Sequence, residues 1–141
     1  MKKNFVLVAL LLFSGITFSQ TLEKGNLIGL HVSEIVLQPD VSYNQYKEFL
    51  LNTLFPKLEE AYKGDVKFYL IEGIKGENKN NYGWIFLFKS AEVRDKWITE
   101  EGGIREELQE EFMEVIADVM KEQEKYILNG VESSYTDWVV Q

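Results

Sequence analysis

His31 is the only histidine in the 141-residue chain, and Ser33 follows it two residues later in the run Asn26-Leu27-Ile28-Gly29-Leu30-His31-Val32-Ser33-Glu34-Ile35-Val36-Leu37-Gln38. In an extended strand that spacing puts both side chains on one face. An imidazole titrates near neutral pH, so His31 beside a hydroxyl has the makings of a general base or of a hydrogen-bonding partner for a ligand. The plainer reading of the same pair is a buried histidine satisfied by Ser33 or by backbone. A Ser-His-acid triad has no support: Ser33 lacks an elbow motif, no acid can be assigned to orient His31, and Glu34 points to the opposite face.

A second set of candidates is aromatic. Trp84, Phe86 and Phe88 alternate along Tyr82-Gly83-Trp84-Ile85-Phe86-Leu87-Phe88 and so form a row on one strand face. Such a row suits a flat apolar ligand and is equally the material of an ordinary core. Tyr69 and Tyr135 are polar contacts on neighbouring strands whose facing the sequence leaves open, and Trp97 and Phe112 reach toward the row from helices. The carboxylates Glu100, Glu101, Glu106, Glu107, Glu110, Glu111, Glu114 and Asp118 lie at helical spacings. With no inward-facing histidine among them they read as a solvated helix face, and neither metal nor cofactor is expected. Gly73-Ile74-Lys75-Gly76 is too short for a phosphate loop and reads as a turn.

The elements that must position these residues follow from periodicity and punctuation. The run over 26–38 reads as a strand apolar on both faces, with Leu27, His31, Ser33, Ile35 and Leu37 on one side and Ile28, Leu30, Val32 and Val36 on the other. Ser42 and Gln45 have capping-box spacing and open a helix whose stripe is Tyr46, Phe49, Leu50, Leu54, Leu58 and Ala61. Pro56 inside that pattern predicts a kink near Asn52 or a break near Phe55. Residues 66–74 form a second strand, and the polar stretch 75–81 a hairpin to the Trp84 strand. Ser90 caps the next helix, with Glu92 in its first turn. That helix ends near Ile98 and is interrupted at Gly102-Gly103. A further helix over 104–128 carries Leu108, Phe112, Val115, Ile116, Val119 and Ile127, stops at Asn129-Gly130, and is followed by a final strand over 135–140.

Strand, helix, strand, strand, helix pair, strand is the ferredoxin-like order: an α+β class with a four-stranded antiparallel sheet and helices on one face. Helices on one side leave the other sheet face apolar and uncovered, which predicts a homodimer packed through the open faces. Composition agrees with a packed core, at 45% hydrophobic and 13% aromatic residues. The net charge of −8 disfavours nucleic acid and anionic lipid surfaces as partners. Lys2 and Lys3, the apolar run from Phe5 to Phe13, and Thr17-Phe18-Ser19 have the three parts of a secretory signal peptide. The expected division is therefore 1–19 signal peptide, 20–25 linker and 26–141 one domain. The mature product is expected to be exported, periplasmic or secreted, with no stable membrane insertion after cleavage. The chain has no cysteine, hence neither disulfide nor lipid-attachment site.

In that order, the run Ile85-Phe86-Leu87-Phe88-Lys89-Ser90-x-x-Val93-x-x-x-Trp97 resembles the dimeric α+β barrel superfamily, in particular its antibiotic-biosynthesis-monooxygenase-like and haem-degrading-monooxygenase-like members. The resemblance implies a pocket between the sheet and its covering helices, facing His31, Ser33, Trp84, Phe86 and Phe88. The haem-degrading members use an Asn on the first strand, a Trp at the end of the third and a His on the following helix. The matching positions hold Ser33, Phe88 and, near Glu106 and Glu107, no histidine, which argues against haem degradation by that constellation. Three functions stay open: binding of a small apolar or aromatic molecule, cofactor-independent monooxygenase or isomerase chemistry on a small aromatic or carbonyl compound with His31 as base and Ser33 and Tyr69 positioning it, and a structural dimerisation role in the cell envelope.

Overall fold

The computed structural model describes residues 21–141; the expected signal segment lies outside the described residues. Strand β1 (Leu27–Leu37) is central, with β3 (Tyr82–Phe88) on one side and β4 (Ile127–Val139) on the other, while β2 (Val66–Glu72) pairs with the far edge of β3. All neighbours are antiparallel and the order is β2-β3-β1-β4. With helices inserted between β1 and β2 and between β3 and β4, this is the ferredoxin-like fold.

Register decides which side chains share a face, because residues directly opposite one another in an antiparallel pair point the same way. On the helix side, successive rows across the sheet are Val139-Leu27-Phe88-Val66, Asp137-Gly29-Phe86-Phe68 and Tyr135-His31-Trp84-Leu70. The opposite side carries Trp138-Ile28-Leu87-Lys67 and Thr136-Leu30-Ile85-Tyr69. The two faces expected for β1 are therefore the two faces observed.

The first helical segment starts as its cap predicts. Ser42 Oγ accepts from the Gln45 N–H at 3.4 Å, and Gln45 Oε1 accepts from the Ser42 N–H at 2.8 Å. Helix α1 (Tyr43–Phe49) then passes without a break through a π-helical turn, Leu50–Leu54, into α2 (Phe55–Ala61). The expected interruption at Pro56 is absorbed here: Pro56 stands in the first turn of α2, and the Phe55 N–H reaches back five residues to the Leu50 carbonyl. The wider turn relieves the clash that a proline ring makes with an ordinary helical carbonyl. Gly64, at φ +73°, completes the reversal into β2.

Helix α3 (Ala91–Trp97) is capped by Ser90, whose Oγ accepts from the Val93 N–H at 3.2 Å. Helix α4 (Glu106–Gln123) presents Phe112, Ile116 and Val119 to the core. It is shorter than the expected 104–128. Asn129-Gly130, expected to be a helix stop, lies inside β4, which begins eight residues before the predicted strand. The cause is the long central partner: β1 offers backbone hydrogen bonds along its whole length, from Leu27↔Val139 to Leu37↔Ile127, and two register shifts accommodate the extra residues. Pairing along that edge outweighs the local turn preference of Asn-Gly.

The core lies between the sheet and the four helices, around Tyr46, Leu50, Leu54, Val66 and Phe88. The other sheet face has no cover among the described residues. There Trp138 is 61% exposed and Tyr69 41%, with Ile28, Leu30, Ile71 and Ile85 partly exposed between them. No helix among the described residues is long and apolar enough to cross a membrane.

Candidate functional site

Gly29 stands between Ile28 and Leu30 in β1, and a missing side chain at that point leaves a hollow in the helix-side face of the sheet. A Cβ built on it would meet Asp137 Oδ1 at 3.3 Å, His31 Nε2 at 3.5 Å and Phe86 Cβ at 3.5 Å. Three side chains from three strands thus converge over one glycine. The hollow extends into a cavity of about 350 Å³, floored by Phe86 and Phe88, with Tyr62 at the end of α2 forming its inner wall.

Its roof is the connection between α3 and α4. Ile98 and Ile104 form an isolated antiparallel bridge, and within it Gly102, at φ +87°, donates to the Thr99 carbonyl at 3.0 Å. Arg105 closes the connection from outside, its Nε donating to the Asp95 carbonyl at 2.6 Å. These bonds hold Glu100, Glu101 and Gly102 at the mouth of the cavity.

The remaining wall is polar and comes from β4 and α3. Arg94 donates through Nη1 to the Asp137 carboxylate, through the same nitrogen to the Tyr135 hydroxyl at 3.4 Å, and through Nε to Asp95 Oδ1 at 2.6 Å. Burial works against the Arg94 charge, but the two carboxylates more than offset it and hold the guanidinium above its ordinary value. Tyr135 is pushed up to about 12, first by burial and then by its hydrogen bond to the Asp137 carboxylate, which is stronger for the protonated phenol. His31 lies between two rings, 4.2 Å from Phe86 and 4.6 Å from Tyr135 by centroids.

The cavity therefore collects four of the nine residues singled out from the sequence as catalytic or ligand-binding candidates: His31, Phe86, Phe88 and Tyr135. Ser33 shares their face, as expected, but sits one row beyond Trp84, opposite Tyr82, and does not line the cavity. Trp84 packs edge-on against Phe55 at 5.4 Å, with its indole N–H buried and unpartnered among the described residues. Trp97 and Phe112 are core side chains that back the cavity through Tyr62, at 5.3 and 5.0 Å between ring centres. The Trp97 indole N–H donates to Asp65 Oδ2 at 3.1 Å. Tyr69 must be corrected: it pairs with Ile85 and so stands on the open face, away from the cavity.

Arg94, Asp137, Gly29 and Tyr62 had no signal strong enough to be singled out. Tyr135 and Asp137 do alternate at strand period, and Gly29 marks a close approach, but which strand they face is decided only by the β1–β4 pairing. A haem does not fit this site. The single imidazole is packed between Phe86 and Tyr135, and α3 and α4 carry no histidine to hold iron. Among the described residues no cluster of His, Asp and Glu is arranged to hold a metal ion.

No protein-family model matches the chain, and no curated protein matches it. Among solved structures it is similar to a dimeric protein of unknown function and ferredoxin-like fold from Bacteroides fragilis, at 12% identity over 82% of this chain and 97% of that one, with a TM-score of 0.32. So loose a superposition carries no residue-level correspondence; the fold follows from this chain's own strand order and register. Chemically, the cavity offers flat apolar surfaces on which a ring can lie and one polar wall that can fix its orientation.

Proposed function

We propose that the chain is an exported domain that forms homodimers through the open face of its sheet and binds a small, largely aromatic molecule between sheet and helices. The observation that supports this most directly is the cavity of about 350 Å³ over Gly29, which combines an aromatic floor with a small number of convergent polar groups. That size and lining match small-molecule sites in general and count against a purely structural role, for which no ligand-sized hollow is needed. The dimer is supported by the uncovered apolar face around Trp138 and Tyr69, whose burial against a second copy would remove it from water. Export is supported by the signal-peptide pattern of residues 1–19.

His31 in the cavity wall supports a second reading, in which the same site acts on its ligand by proton transfer without a bound cofactor. Native mass spectrometry of the mature protein, purified from its own host without added ligand, tests the main reading. A dimer carrying an added small mass is the expected result. A monomer at micromolar concentration removes the dimer, and a cavity that takes up no aromatic compound from a broad panel removes the binding function.

A further inference from the structure

The charges around the cavity are unevenly distributed, and this bears on which aromatic molecules it accepts. Among the described residues Arg94 is the one Lys or Arg side chain in its lining, and its guanidinium is already held by Asp137 on one side and Asp95 on the other. A ligand carboxylate or phosphate would therefore meet a guanidinium whose charge two carboxylates already balance. At the mouth, Glu100 and Glu101 present two carboxylates that have no basic partner among the described residues. The lining also holds the aromatic side chains Tyr62, Phe86, Phe88 and Tyr135, and an aromatic face attracts a cation.

Resting on the binding function proposed above, we infer that the site selects aromatic amines, with the ring among the aromatic side chains of the lining and the ammonium directed to Glu100 and Glu101. The low-dielectric walls focus the field of the mouth carboxylates into the cavity, so a cationic ligand is attracted and an anionic one repelled. The two glutamates are solvent-exposed, so this preference weakens with salt. The bridge between Ile98 and Ile104 matters because it keeps the carboxylates over the opening instead of leaving them on a free loop.

The test compares three probes of one shape by calorimetry on the full mature protein: tryptamine, uncharged 3-propylindole and indole-3-propionate. Tryptamine is expected to bind about fivefold or more tighter than indole-3-propionate at low salt, with the gap closing toward about 0.5 M salt. The Glu100→Gln/Glu101→Gln variant, changed only at exposed positions, should weaken tryptamine severalfold more than it weakens 3-propylindole. Equal affinity for all three, tighter binding of indole-3-propionate, or a tryptamine preference that survives the double substitution overturns the charge selection while leaving the binding function standing. Failure of all three to bind overturns both.

Discussion

His31 and Tyr135 stand directly opposite one another in the β1–β4 pairing, ring centres 4.6 Å apart, with the Tyr135 hydroxyl bonded to the Asp137 carboxylate two residues on. The edge strand thereby supplies the second and third titratable groups beside an imidazole that looks solitary in the sequence.

The arrangement separates the packing role of His31 from a chemical one. Phe in place of His31 keeps a ring between Phe86 and Tyr135 and removes only the imidazole nitrogens, so His31→Phe should stay folded and lose less than His31→Ala, which should cost about 1–2 kcal/mol of packing. Chemical denaturation measures both. If His31→Phe destabilises the fold as much as the alanine does, the imidazole nitrogens are structural and the proton-transfer reading loses its base.

Alkaline pH should weaken the fold in a defined window. Tyr62 is pushed up to about 12 by burial and Tyr135 to about 12 by burial and then Asp137, while Tyr43 and Tyr46 are raised chiefly by burial. Below about pH 10 these phenols are protonated in both folded and unfolded chains, so their contribution is fully present. Between about 10 and 12 the unfolded chain loses protons that the folded one keeps, and stability falls. For deeply buried Tyr62 the loss is on the order of 2 kcal/mol. Denaturant midpoints across this range, with Tyr62→Phe flattening the slope, check it; phenols that all ionise together near pH 10 in a still-folded chain would contradict it.

Two glycines in the sheet should respond differently to alanine. At Gly83 an added Cβ would come within 2.6 Å of the His31 carbonyl oxygen, a backbone atom that cannot move without opening the β1–β3 pairing. At Gly29 the nearest atoms belong to side chains, the closest at 3.3 Å. Gly83→Ala is therefore expected to cost about 3 kcal/mol. Gly29→Ala should cost about 1 kcal/mol but fill the hollow of the cavity, lowering affinity for an indole probe while the melting temperature moves little. A Gly29→Ala protein that binds as well as the parent would place the ligand elsewhere.

The open face predicts its own disruption. Trp138→Lys together with Tyr69→Lys puts two charges where the second copy would pack, and neither residue supports the core behind the sheet. Sedimentation at micromolar concentration should show a folded monomer in place of a dimer. An undisturbed dimer would locate the interface elsewhere.

What the sequence determined by itself was whatever depends on neighbours a few residues apart. The Ser42–Gln45 capping box, the Ser90 cap, the two-faced β1 strand and the ferredoxin-like element order all rest on local spacing, and each appears in the structure at the residues named. Tertiary structure decided what depends on register. Pairing with β1 drew Ile127–Asn129 out of the expected helix and its stop into β4, and placed Tyr135 and Asp137 beside His31 and Gly29. Pairing with Ile85 turned Tyr69 away from the cavity. A one-residue shift along a strand moves every side chain to the other face, and residues some hundred positions apart set that register together, so no local pattern could assign the cavity's polar wall.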